Sequence, residues 1–252
     1  MKKQLFVLIS LMLSTLPLSV SAHGKHIGYD IIDVKNGGTI TGQVTFTGND
    51  PAPQVFPITK DMEVCGETRE IDFVKVDKSG GLTDVVVYLE NVKKGKPFSN
   101  TQKKVTVEQK ACDYGPLLSV MVEGNKLEIV NTDNVAHKMH AYEMRDMGAK
   151  KTMFSISQPP EKNRVVTKEV DLKKGEGIMM QCDQHEFMKG FMFMAKNPYH
   201  TLVAEDGSFT IDNIPPGYYT VKAWHGTLKK HPQLPKFVGM NQTVTVNLEY
   251  SK

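Results

Sequence analysis

The chain has 252 residues, with 31 Lys or Arg against 28 Asp or Glu, a formal charge of +3. So small and dispersed a charge excludes a strongly basic nucleic-acid surface, and the basic stretches Lys93–Pro97 (KKGKP) and Thr101–Lys104 (TQKK) read as solvated loop. The length accommodates two modest domains or one large one.

Residues 1–22 begin with a basic start (Met1, Lys2, Lys3), continue through an apolar run over Leu5–Leu18 and end in small residues at Ser19–Ala22. That order predicts a removable secretory signal and a mature chain starting near His23. The run is too short and interrupted for a membrane span, which needs about 20 apolar residues. No cysteine follows it to take a lipid. The expectation is a periplasmic or secreted protein without a transmembrane anchor. His23 and His26 could form an amino-terminal copper brace, although no strand frames them.

Apolar and polar residues alternate in TITGQVTFTG (39–48), TDVVVYLENV (83–92), KLEIVNTD (126–133) and TVTVNLEY (243–250), with Gly, Pro, Asn and Asp between them. Short strands at this spacing predict an all-β fold built of sandwiches or barrels. Asp206-Gly207 marks a hairpin, and Pro215-Pro216-Gly217 a turn before a further strand. Residues 154–170 contain a QPP break and read as loop and strand. Segments 37–92 and 199–250 resemble the two parts of a carboxypeptidase regulatory-like (transthyretin-like) β-sandwich. In that family a strand like VVVYLE is soon followed by a DGSF hairpin. Here a second unit, 104–197, is expected to be inserted between them, at a loop where insertion is well tolerated.

The inserted unit ends in QCDQHEFMKG, residues 181–190. Cys182, His185 and Met188 follow one another at three-residue intervals. A blue-copper site uses a thiolate, two imidazoles and a weak axial thioether. This loop could supply three of those donors, and the fourth must come from a distant strand end. His137, after KLEIVN and a turn-like TDNVA, is placed for that role. Zinc could instead use His137, Cys182 and His185 with another ligand. A binuclear copper–thiolate centre would need a second cysteine in the loop, and there is none.

These pieces resemble the cupredoxins, and the amicyanins among them, whose short loop has the form Cys-x-x-His-x-x-Met followed by a basic residue and glycine. AHKMH (136–140) resembles the stretch that carries the first histidine of that family. The resemblance implies a Greek-key β-barrel holding one type 1 copper ion on His137, Cys182, His185 and Met188. Glu186 stands where the family loop has proline. Ala136 and Lys138 stand where it has proline and asparagine, the asparagine helping to join the two ligand loops. Chains combining both resemblances include methylamine-utilisation-type proteins.

Cys65 and Cys112 are the other two of three cysteines. In an oxidising compartment they are expected to form a disulfide, the alternative being two free buried thiols. His140 reads as structural or surface, and His200, His225 and His231 as isolated. Trp224 reads as sandwich core. Met139, Met144, Met147, Met153, Met179, Met180, Met192 and Met194 surround the site in sequence. They suit either a copper-handling surface or simple core filling. No GxSxG, HExxH, phosphate-binding loop or GxGxxG pattern is present. The expectation is therefore not an enzyme but a periplasmic electron-transfer protein. Its partner would be a redox protein such as a c-type cytochrome or dehydrogenase. A copper chaperone or storage protein is the alternative, and a non-redox scaffold the third.

Overall fold

The computed structural model describes residues 28–99, 104–145, 148–161, 164–228 and 232–251. The expected signal, together with His23, His26, Met147 and His231, lies outside them. In chain order the strands are β1 (Asp30–Ile31), β2 (Gly38–Thr47), β3 (Gln54–Pro57), β4 (Thr68–Ile71), β5 (Val85–Glu90), β6 (Lys94–Gly95), β7 (Lys104–Gln109) and β8 (Leu118–Val122). They continue with β9 (Lys126–Asn131), β10 (His137–Met144), β11 (Lys150–Gln158), β12 (Arg164–Glu169), β13 (Gly177–Cys182) and β14 (Lys189–Ala195). The last six are β15 (His200–Leu202), β16 (Ser208–Ile214), β17 (Gly217–His225), β18 (Gln233–Val238), β19 (Thr243–Thr245) and β20 (Leu248–Ser251). One short helix, α1 (Met62–Cys65), lies between β3 and β4. The protein is all-β, and no helix among the described residues is long and apolar enough to cross a membrane.

Strands from the two ends of the sequence share sheets. One sheet runs β15-β5-β17-β18, and the facing one runs β16-β2-β19, with β20 also on β2. Ile40, Val44, Val87, Leu89, Ile211, Val221, Ala223 and Leu248 fill the space between them. Between β6 and β15 the chain forms another pair of sheets, β11-β10-β13-β14-β8 and β12-β9-β7. Their core contains Met121, Leu127, Ile129, Met139, Met180, Met192 and Met194. These sheets face one another without hydrogen-bonded closure, so the expected barrel is corrected to an open sandwich. Closure would need both pairs of edge strands, β11 with β12 and β8 with β7, to form ladders, and neither pair does.

The period of two in strands explains how the two sandwiches join. Along β5, Val85, Val87 and Leu89 enter the first core, while Val86 and Tyr88 point the other way. Along β13 and β14, Met180, Met192 and Met194 enter the second core, while Met179, Phe191 and Phe193 turn outward. The outward sets meet in a third cluster with Leu118, Ala195 and Trp224. A strand buried on both faces reads as a continuous apolar run, as VVVYLE and FMFMA do. Each buried aromatic ring in this seam contributes about 2–3 kcal/mol. Trp224 thus belongs to the seam rather than to the sandwich core, because it alternates with the core residues Val221 and Ala223. Gly177 lets the indole approach: a Cβ there would come within 2.6 Å of the Trp224 ring.

A smaller unit covers one end of the second sandwich. Strands β3 and β4 form a hairpin whose connection holds α1. Its Ile58 and Cys65 are buried in the second core, with Phe56, Val64 and Ile71 packed against them.

Candidate metal centre

Three side chains that chemistry would place on one metal converge where β10 and β13 meet. His137 opens β10, and Cys182 closes the neighbouring β13, in which it pairs with Met139. From Cys182 the chain turns back on itself into β14. The Met188 amide donates to the His185 carbonyl at 2.9 Å, and the Cys182 amide to the Met188 carbonyl at 3.1 Å. This tight loop brings His185 inward, so that His137, Cys182, His185 and Met188 are at most 2% exposed.

Lys138 joins the two ligand-bearing segments with its backbone. Its amide lies 3.5 Å from Cys182 Sγ, and its carbonyl accepts the Asp183 amide at 2.8 Å. Its ammonium also pairs with Asp183 at 3.0 Å. Lys138, which stands where the resemblance has asparagine, thus makes this junction largely through its backbone.

His137 Nδ1 and His185 Nδ1 lie 3.2 Å apart, and Cys182 Sγ lies 3.9 Å from the first and 3.7 Å from the second. The far nitrogens are fixed by carboxylates. His137 Nε2 contacts Asp133 Oδ2 at 2.8 Å, and His185 Nε2 contacts Asp61 Oδ2 at 3.0 Å. A carboxylate only accepts, so each Nε2 carries a hydrogen, and the neutral form of either ring then keeps its lone pair on Nδ1. Burial pushes the His137 imidazole below its usual pKa against the pull of Asp133, which favours the neutral ring. Two lone pairs then face one another in a buried site beside a thiol, an arrangement that a cation between them relieves.

The spacing suits one ion. With bond lengths of about 2.0 Å to nitrogen and about 2.3 Å to sulfur, a single ion could reach all three atoms at these separations.

Asp133 is itself built in. Its amide donates to Asn131 Oδ1 at 2.9 Å, and its carboxylate accepts the amides of Ala111 and Cys112 at 2.6 and 2.9 Å. Asn131 also donates to the Val135 carbonyl at 2.9 Å, shaping the turn that leads to His137. Cys65 and Cys112 form a disulfide that staples the β3–β4 unit to this loop.

Of the residues singled out in sequence, His137, Cys182 and His185 come together, with Met188 buried in the same core. His140 falls on the other side of β10, where it contacts Asp183 and Thr152 and stacks on Tyr142. His200 contacts the Asn197 carbonyl, and His225 accepts the amides of Thr227 and Leu228. Met139, Met180, Met192 and Met194 are core residues and Met179 a seam residue. Met153 is only packed against the core, and Met144 against the seam. Asp133 and Asp61 were not anticipated. The first is legible as an acid four residues before His137, whereas the second comes from a segment with no metal-site pattern.

No protein-family model matches the chain, and no curated protein matches it. Among solved structures, a purple cupredoxin from Nitrosopumilus maritimus is similar at 17% identity, over 32% of this chain and 81% of that one, with a TM-score of 0.27. Amicyanin from Paracoccus versutus is similar at 13% identity, over 43% of this chain and 97% of that one, with a TM-score of 0.30. A Cu-containing nitrite reductase from Thermus scotoductus SA-01 is similar at 16% identity, over 42% of this chain and 24% of that one, with a TM-score of 0.28. The likeness is partial and carries no functional conclusion. It lends no support to the regulatory-like resemblance.

Proposed function

We propose that this is a mononuclear copper protein of the type 1 class, acting in electron transfer in the periplasm or outside the cell. His137, Cys182 and His185 would hold the ion, and Met188 would supply the weak thioether donor. The observation that carries the reading is the pair of Nδ1 atoms 3.2 Å apart, each on a ring whose other nitrogen is held by a carboxylate, with Cys182 Sγ completing the triangle. Copper in such a site supplies a one-electron couple whose potential the axial donor tunes.

The protein's own residues hold the four donors in place. Asp133 and Asp61 fix the ring orientations, the Lys138 amide faces the Cys182 sulfur, and the closed loop sets the spacing of Cys182, His185 and Met188. Donors fixed in this way change little between two oxidation states, which suits electron transfer. Their near-complete burial suits retention of the metal more than its delivery to a chaperone's client or a store.

In this reading residues 104–197 form the copper module, and segments 37–92 and 199–250 form a regulatory-like sandwich that presents it to a redox partner. The Cys65–Cys112 disulfide accords with an oxidising compartment. Electrochemistry of the copper-loaded protein tests the electron-transfer reading. A reversible one-electron couple is expected, and Met188→Leu should keep the copper while raising the potential. Loss of copper in Met188→Leu, or an unchanged potential, would remove the axial assignment and favour storage.

A further inference from the structure

The disulfide lies against the metal centre. The sulfur atoms of Cys65 and Cys112 and a ring nitrogen of His185 all lie within 4.8 Å of one another, as do the Cys112 sulfur, an Asp133 oxygen and a ring nitrogen of His137. Both cysteines are at most 4% exposed. Cys112 and its neighbour Ala111 adopt positive φ values of 56° and 50°, a conformation costly for residues with a Cβ. Asp133, which also holds His137, keeps them there by accepting both amides. Lys110 and Asp113 pair across this two-residue turn, which requires positive φ at both central residues, and the turn leaves the Cys112 sulfur beside the two histidines.

We propose that Cys65 and Cys112, once reduced, form a second metal site that takes one Cu(I) ion as a dithiolate, lined by His185 and Asp133. A dithiol reductant supplies the two electrons and two protons. The S–S bond breaks, both cysteines become thiols, and the reductant closes to its own disulfide. Binding of Cu(I) then displaces the two thiol protons to solvent. Two soft sulfur donors select Cu(I) over harder divalent ions. The oxidation state of this pair then sets whether the protein holds one copper ion or two. The site adjoins the proposed centre through His185 but does not use Cys182, so the two readings can fail separately.

The test is titration of the full mature protein with Cu(I) buffered by a chromophoric chelator. The protein is used as isolated, and again after anaerobic treatment with dithiothreitol and removal of the reagent. The expected uptake is one equivalent as isolated and two after reduction. Cys182→Ser should take none as isolated and one after reduction, while the Cys65→Ser/Cys112→Ser double variant should take one under both conditions. Equal uptake by wild-type protein before and after reduction, with free thiols confirmed by labelling, overturns the second site whether or not the double variant folds. No uptake by the isolated wild type, with one equivalent after reduction, would instead leave the second site standing and overturn the Cys182 centre.

Discussion

Asp61 accepts the Nε2 hydrogen of His185 at 3.0 Å, joining a carboxylate at the start of α1 to a loop 124 residues further along the chain. It covers the Nε2 edge of a ring that is only 2% exposed. The β3–β4 unit therefore completes the site as well as covering it.

A carboxylate behind a metal-bound imidazole fixes the ring and raises its basicity, and losing one costs about 10–100-fold in metal affinity. Asp61→Asn keeps the size of the side chain and its tolerance of the positive φ of 56° at this position. The expected result is copper retention weakened within that range in competition with a chelator, with little change in the unfolding midpoint of the metal-free protein. Unchanged retention would show that the charge of Asp61 does not support the ligand.

The Cys65–Cys112 bridge spans 47 residues of sequence. A loop of that length restrains the unfolded chain by about 4 kcal/mol. Replacing both cysteines with serine should lower the denaturant midpoint by a corresponding amount. A double variant as stable as the parent would contradict the staple.

Much of this arrangement was legible in sequence, for definite reasons. Strand alternation follows from backbone geometry, so TITGQVTFTG and KLEIVNTD gave strands directly. The three candidate donors Cys182, His185 and Met188 stand three residues apart in one loop, and His137 follows a recognisable strand and turn. The seam was not legible, because VVVYLE and FMFMA show only that both faces are buried, not what each face meets. That is why Trp224 was assigned to the wrong layer. Asp61 was hidden for another reason: its role comes from the folding back of the β3–β4 unit, which leaves no local period or motif.

Glu143 gives the fold a pH dependence independent of any metal. Burial opposes its ionisation, but the amides of Lys174 and Gly175, the Arg145 guanidinium and the Lys173 amide outweigh that and bring its pKa down to about 2. A pKa lowered by folding adds stability above the unfolded value of 4.5, and that stability is lost as the pH falls from there towards 2. Glu143→Gln should cost about 2 kcal/mol at neutral pH through its unmade charged hydrogen bonds. It should also flatten the loss of stability between those two pH values. Unfolding curves at pH 7 and pH 3 measure both, and an unchanged acid dependence would argue against this role.

A copper-bound Cys182 thiolate is the core of the proposed centre, and the visible spectrum of the copper-loaded protein tests it most directly. Wild-type protein should show the intense absorption of a copper–thiolate bond. Cys182→Ser should abolish it, and His140→Ala, which changes a side chain turned away from the centre, should leave it nearly intact. A copper-loaded wild-type protein without that band, or a band that survives Cys182→Ser, would contradict the assignment of this centre.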